Sequence, residues 1–228
     1  MCGRYVSPDI ADIERQWQLV RARVNPFAAR FNVSPSTEVP VLVPGEDGGL
    51  VLRMGRWGLV PGWWREAKLP RLSHNARAEE AADKPLWRDA MRRGRCLLPM
   101  LGWYEWKATT RQPFFFRRAD GRLAAVAALY SWWTPPDAQA PLLTCALLTT
   151  DAKGLAAQVH DRMPVVLPPK CERAWLAEGA MPVDVDGIAR HPVRRLVSDA
   201  RAEGPQLIEP APEEAPAPDL FTLHGEKA

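Results

Sequence analysis

Met1-Cys2-Gly3-Arg4 opens the chain, and the reading of the remaining sequence turns on its second residue. A side chain as small as that of Cys2 permits removal of Met1, which would leave a cysteine whose α-amine and thiol sit on adjacent carbons. An α-amine has a reference pKa of about 7.7 to 8.0, so a useful fraction is neutral and nucleophilic at neutral pH, whereas a lysine amine needs heavy desolvation to match it. Such an amine condenses with an aldehyde to an imine, and the neighbouring thiol then closes a five-membered thiazolidine. The same pair can also serve as a thiol nucleophile with the free amine as its general base. The third reading is a small, buried, inert residue near a terminus, a common fate of free cysteine.

A chain of 228 residues and 25.5 kDa suits one large domain or two small ones. It has no run of 18 apolar residues and no basic-then-apolar start, so a soluble, non-secreted, cytoplasmic protein with no membrane partner is expected. Cys2, Cys96, Cys145 and Cys171 are widely spaced and include no Cys-x-x-Cys pair. That argues against a zinc knuckle or a disulfide framework, and for a reducing compartment. No phosphate-cradling glycine motif or metal-ligand cluster is present, so neither metal nor cofactor is expected. From Glu203 onward six acids face one base, Lys227, while the whole chain is +3; the body before Glu203 is therefore at +8. A body this basic attracts a polyanion.

Ser7-Pro8-Asp9 predicts a helix start with the serine as cap, continued by Ile10, Ile13 and Trp17 at helical spacing. Val39–Val43 and Leu50–Trp57 read as paired strands around a glycine turn. Trp57-Gly58-Leu59-Val60-Pro61-Gly62-Trp63-Trp64 reads as a loop whose tryptophans either stack on bases or plug the core. A helix runs through Leu86, Trp87, Ala90 and Met91 to Gly94, and Arg95–Pro99 is a short buried strand. Gly102–Lys107 sets Glu105 among three large aromatics: it either loses hydration, which favours the neutral acid, or faces water. Phe114–Arg118 and Leu123–Leu129 flank Asp120-Gly121 as a hairpin, and Leu142–Thr150 is another strand. His160 lies beside Asp161 and Arg162, able to move protons near neutral pH or to serve structure alone. Pro169–Glu178 is a short helix stopped by Gly179.

Six separated pieces resemble, in order and kind, the SOS response-associated peptidase (SRAP) family, which crosslinks to abasic sites in single-stranded DNA. They are the opening four residues, Asn32-Val33-Ser34-Pro35, the tryptophan loop, Asn75-Ala76-Arg77-Ala78-Glu79, Trp103-Tyr104-Glu105-Trp106 and His160-Asp161-Arg162-Met163-Pro164. The resemblance implies an α+β fold: a single domain over residues 2–210 with a β-barrel-like core, flanking helices and a basic DNA channel. Residues 211–228, rich in proline, alanine and acid, are expected to be a disordered tail. By the same resemblance Cys2, freed of Met1, attacks the ring-opened abasic aldehyde through its amine and closes a thiazolidine with its thiol. Asn75 would orient the amine or the sugar, Glu105 would supply and remove protons, and His160 would assist sugar ring opening. Arg4, Arg77 and Arg162 would hold phosphates, with Asn32, Trp63 and Trp64 near the strand. The partner so implied is single-stranded DNA containing abasic sites, met by a monomer in a bacterial-type, nucleoid-associated setting.

The sequence departs from the family pattern in a longer stretch between Trp64 and Asn75, which includes Arg65, Lys68 and Arg71, and in the acidic tail. Three rival readings remain at this level: an N-terminal nucleophile amidohydrolase such as a glutaminase, a thiol peptidase pairing Cys2 with His160, and a non-catalytic DNA-binding module.

Overall fold

The computed structural model describes residues 2–19, 24–66, 68–71, 73–136 and 138–213. In chain order its strands are β1 (Tyr5–Ser7), β2 (Arg30–Val33), β3 (Glu38–Pro44), β4 (Leu50–Trp57), β5 (Asn75–Arg77), β6 (Arg95–Met100) and β7 (Gly102–Trp106), followed by β8 (Pro113–Arg118), β9 (Ala124–Trp133), β10 (Leu142–Asp151), β11 (Arg162–Pro164), β12 (Val166–Leu167) and β13 (Ile188–Pro192). Its α-helices are α1 (Ile10–Trp17), α2 (Pro85–Arg93), α3 (Gly154–Ala157) and α4 (Glu172–Glu178).

The β3–β4 hairpin turns through Gly45–Gly49, where Gly48 has φ +78° and the Asp47 carboxylate accepts the Gly49 N–H at 3.0 Å. From there β4 pairs β10, β10 pairs β9, β9 pairs β6 and β6 returns to β3, so five strands close into a ring. The closure is a ring of strands rather than a strict barrel, because β5, β11 and β12 attach to it. Ring strands are buried on both faces and read as apolar runs. Val39, Val41 and Val43 enter one core while Leu42 enters another; Val126 and Ala128 separate from Ala127 and Leu129 in the same way. The alanines of β9 are poor intrinsic strand formers, but small side chains fit a strand packed on both faces.

On the outer face, Ile13 of α1, Trp87 and Ala90 of α2 and Trp175 of α4 cover the ring. Trp175 also donates its indole N–H to Cys96 O at 2.9 Å. On the other face lies a second sheet, ordered β13-β8-β7-β1-β2, which contributes Trp103, Phe114 and Phe116 to the core that also holds Cys2. Its far side packs Val6, Tyr104 and Phe115 on Val193, Val197 and Leu207. The whole is one sheet-dominated α+β domain with few helices, as the sequence resemblance implied.

Two local expectations are corrected. The cap of α1 is Asp9, whose carboxylate accepts the Asp12 N–H at 2.8 Å, while Ser7 belongs to β1 and its hydroxyl bonds Pro8 O. Asp120-Gly121 does not close a hairpin. β8 pairs with β7 and β13 while β9 pairs with β6, β10 and β12, so this turn carries the chain from one sheet to the other. Arg118 fixes the departure by bridging Asp120 at 2.7 Å and Asp184 at 2.6 Å. The chain remains backbone-paired as far as Ala211, whose N–H donates to Pro192 O at 2.9 Å. Residues 214–228 of the expected tail lie outside the described residues.

Candidate active site

β1 sits between β2 and β7, with Tyr5 opposite both Val33 and Trp103. This central position draws the residues before it into the core, and Cys2 is fully buried. Asn75 arrives on β5, which runs parallel to β10 in register with Leu147. The segment before it is pinned at His74 O, which accepts the Trp57 indole N–H at 2.8 Å and the Leu147 N–H at 3.0 Å. Asn75 Nδ2 then donates to Cys2 O at 2.7 Å. Its Oδ1 is buried without a hydrogen-bond partner among the described residues. A buried acceptor left unmade costs about 1–3 kcal/mol.

Alternation along β7 sends Trp103 and Glu105 to the Cys2 side and Tyr104 to the other, where its hydroxyl donates to Phe31 O at 2.8 Å. Glu105 is 3% exposed. Burial pushes its carboxyl up to about 8, with the α-ammonium of the chain pulling down and Asp161 pushing further up. At neutral pH it is therefore largely the protonated acid. Burial, together with the charge on Glu105, raises the Cys2 thiol well above its ordinary value, so little thiolate forms.

His160 follows α3 and stands with Nε2 at 4.0 Å from Glu105 Oε2. Its Nδ1 meets the Arg162 N–H at 3.0 Å and the Asp161 carboxylate at 2.7 Å. Burial lowers its pKa, an effect larger than the opposing pull of Asp161. Nδ1 thus faces both the Arg162 N–H and the Asp161 carboxylate, and Nε2 is the ring nitrogen turned toward Glu105. The structure thus gathers Cys2, Asn75, Glu105 and His160 around one point.

The other residues singled out in the sequence divide. Arg77 is exposed and meets Glu80 at 3.3 Å. Trp63 is 49% exposed. Trp64 is half-buried, its indole N–H on Lys68 O and its own carbonyl held by the Trp133 indole. Arg4 is engaged with Asn32 Oδ1 at 2.8 Å and Val197 O at 3.2 Å. Asn32 is buried, and its amide is shared among the carbonyls of Val197, Asp199 and Ala202. Arg162 is buried in a network with Glu79 at 2.9 Å, Asp151 at 2.5 Å and Thr149 O at 2.7 Å. Burial alone would raise Glu79, and the Arg162 guanidinium overrides it, bringing that carboxyl to about 2.

Sequence reasoning passed over Lys107, two residues beyond Glu105, and Arg190, whose guanidinium lies over the Phe114 ring. Lys107 was readable, being two residues along the same strand face. Arg190 was not, because its place depends on the pairing of β13 with β8. Among the described residues no cluster of histidine, cysteine and carboxylate groups could hold a metal, and no helix is long and apolar enough to cross a membrane.

A buried cysteine, its carbonyl held by an amide and its neighbours a buried carboxyl and an imidazole, sits in a sheet-dominated α+β domain. The chain belongs to the SOS response associated peptidase (SRAP) family, whose model matches residues 1–199. It is 32% identical to the abasic site processing protein YedK of Escherichia coli, over 92% of this chain and 100% of that one. It is also 32% identical to YoqW of Bacillus subtilis, named likewise, over 92% and 99%. A crystal structure of a protein from Bacteroides thetaiotaomicron shares the fold at TM-score 0.81 and 19% identity, covering 92% of this chain and 100% of that one.

Proposed function

We propose that this protein senses abasic sites in single-stranded DNA and bonds to them covalently through Cys2 after loss of Met1. The observation that carries this reading is the arrangement around Cys2: a carbonyl held by Asn75 at 2.7 Å, beside the buried Glu105. The names of the relatives, abasic site processing proteins, support the choice of substrate.

The amine of Cys2 adds to the aldehyde carbon of the ring-opened sugar, giving a carbinolamine. Glu105, protonated at neutral pH, gives its proton to the departing hydroxyl, which leaves as water and yields the protonated imine. The thiol sulfur then bonds to the iminium carbon as its proton returns to the Glu105 carboxylate, and the thiazolidine closes with the remaining amine hydrogen on nitrogen. One water is released overall. The raised thiol pKa supports this order, because the sulfur stays protonated until the imine is there to be attacked. It speaks equally against a thiol peptidase, which needs a thiolate ready beforehand. His160 assists opening of the sugar ring, and Asn75 Oδ1 receives a donor from the amine or the sugar.

Arg77 and Trp63 contact the strand from exposed positions. Arg4, Asn32 and Arg162 serve it indirectly, by holding the walls through which it passes. The catalytic domain spans residues 2–210 and acts as a monomer, and the segment after it is dispensable for crosslinking.

The test is intact mass spectrometry before and after incubation with single-stranded DNA bearing one abasic site, with Cys2→Ala alongside. Loss of Met1 and a Cys2-dependent, heat-stable adduct are expected. A retained Met1, or bound DNA without an adduct, would overturn the reading in favour of a binding module.

A further inference from the structure

Two cations border the site beyond those discussed above, and a carboxylate of the C-terminal segment rests against them. Lys107 directly follows β7 and continues its ladder, its N–H donating to Gln112 O at 2.9 Å. Two residues from Glu105, it shares that residue's face about 7 Å further along the chain. Arg190 of β13 sets its guanidinium carbon 4.5 Å from the centre of the Phe114 ring. Phe114 is the cross-strand partner of Glu105. Lys107 thus lies beyond Glu105 along the chain, and Arg190 lies against the residue paired with Glu105.

Arg190 is also tied to the neighbourhood of His160, its Nη2 donating to Gln158 Oε1 at 2.8 Å, while its Nε is buried with no hydrogen-bond partner among the described residues. Glu213 accepts a hydrogen bond from Lys107 Nζ at 2.8 Å. Both cations act on this carboxylate: the Lys107 hydrogen bond holds its pKa below the usual range, and the Arg190 charge adds to the pull.

We propose that Lys107 and Arg190 form a subsite for a backbone phosphodiester of the DNA strand beside the reacting sugar, and that Glu213 occupies it as a competing anion in the free protein. The inference rests on the proposed function and adds to it where the strand runs and what must leave first. A carboxylate oxygen 2.8 Å from an ammonium has the geometry of a charge-assisted bond to a phosphate oxygen. Lysine and arginine together offer a point charge and a planar fork, a pairing suited to a phosphodiester. Because exposed ion pairs are weak and screened by salt, Glu213 delays the strand rather than excluding it.

The experiment measures noncovalent affinity by fluorescence anisotropy, using single-stranded DNA with a tetrahydrofuran abasic analogue. That analogue has no aldehyde, so the readout is independent of Cys2 chemistry. Full-length protein, Glu213→Gln, Lys107→Gln, Arg190→Gln and the Lys107→Gln/Glu213→Gln pair are compared from low to high salt. Glu213→Gln is expected to bind about threefold tighter at low salt, with the gain fading as salt rises. Lys107→Gln and Arg190→Gln should each flatten the slope of log K against log salt by about 0.7. In the Lys107→Gln background the gain from Glu213→Gln should shrink, since Arg190 alone then holds the carboxylate. No gain from Glu213→Gln at any salt, a gain undiminished in the Lys107→Gln background, or unchanged slopes would overturn the proposal. A parallel crosslinking assay on aldehyde-bearing DNA separates the two readings: normal noncovalent results without an adduct defeat the covalent mechanism and leave the subsite standing.

Discussion

The floor and the rim of the site treat charge in opposite ways. On the floor, burial drives Glu105 toward the neutral acid, keeps the Cys2 thiol protonated and lowers His160 toward the neutral ring. At the rim, Arg77, Lys107 and Glu213 stay in water, paired only with partners that are themselves exposed. On the proposed mechanism, desolvation on the floor is what permits proton transfer at neutral pH. Hydration at the rim is what permits charged pairs to exchange for other anions at little cost.

The contrast is tested most severely at Cys2. Replacement by alanine should abolish the heat-stable adduct, a loss of at least about 10³-fold against the unmodified protein by denaturing electrophoresis, because both the first bond's sulfur partner and the ring are lost. Next comes Glu105→Gln, which keeps the shape and removes the transferable proton. Adduct formation should slow by about 10²-fold, and the decline in rate above about pH 8 seen with the acid present should disappear. The same variant carries a stability signature. Glu105 has a folded pKa of about 8 against an ordinary 4.5, so the unfolded chain gives up its proton first and stability falls as pH rises between those values. In Glu105→Gln this part of the pH dependence of Tm should vanish, leaving the variant relatively more stable at pH 8 than at pH 5.

Asn32→Ala should cost about 1–3 kcal/mol in urea unfolding, since three carbonyls, the Val197 one in a buried bond, lose their shared donor group. An unchanged midpoint would show that Asn32 is not a structural brace. The smallest effect is expected for Arg77→Ala: unfolding stability within about 0.5 kcal/mol of the parent, with a salt slope for DNA binding shallower by about 0.7. A large fall in stability there would erase the distinction between floor and rim.

Local patterns made much of this legible. The β3–β4 hairpin followed from two apolar runs around Gly45–Gly49, and α2 from its spacing up to Gly94. Aromatic neighbours left Glu105 either dehydrated or facing water, and its 3% exposure decides for the first. What stayed hidden depended on partners distant in the chain. Asp120-Gly121 carries a strong turn signal, but a turn does not say which strands its flanks will join. Asn32 looks like any polar residue before a proline until the carbonyls of residues 197 to 202 close over it. Arg162 reads as a free cation because Glu79, its principal counter-charge, is 83 positions away. The tryptophan loop held both fates at once: Trp57 is buried, while Trp63 faces water.

The strand that follows Cys2 has β7 as one of its two neighbours, and Tyr5 and Val6 meet residues 102 and 103 there. A ribosome adds about 5 to 20 residues per second, so those partners emerge about 5 to 20 s after the start of the chain. Throughout that interval the amino terminus has no second neighbour to join. Enzymes that trim new chains therefore meet an open end rather than a sealed one, and the order of synthesis itself provides the time in which Met1 can be removed.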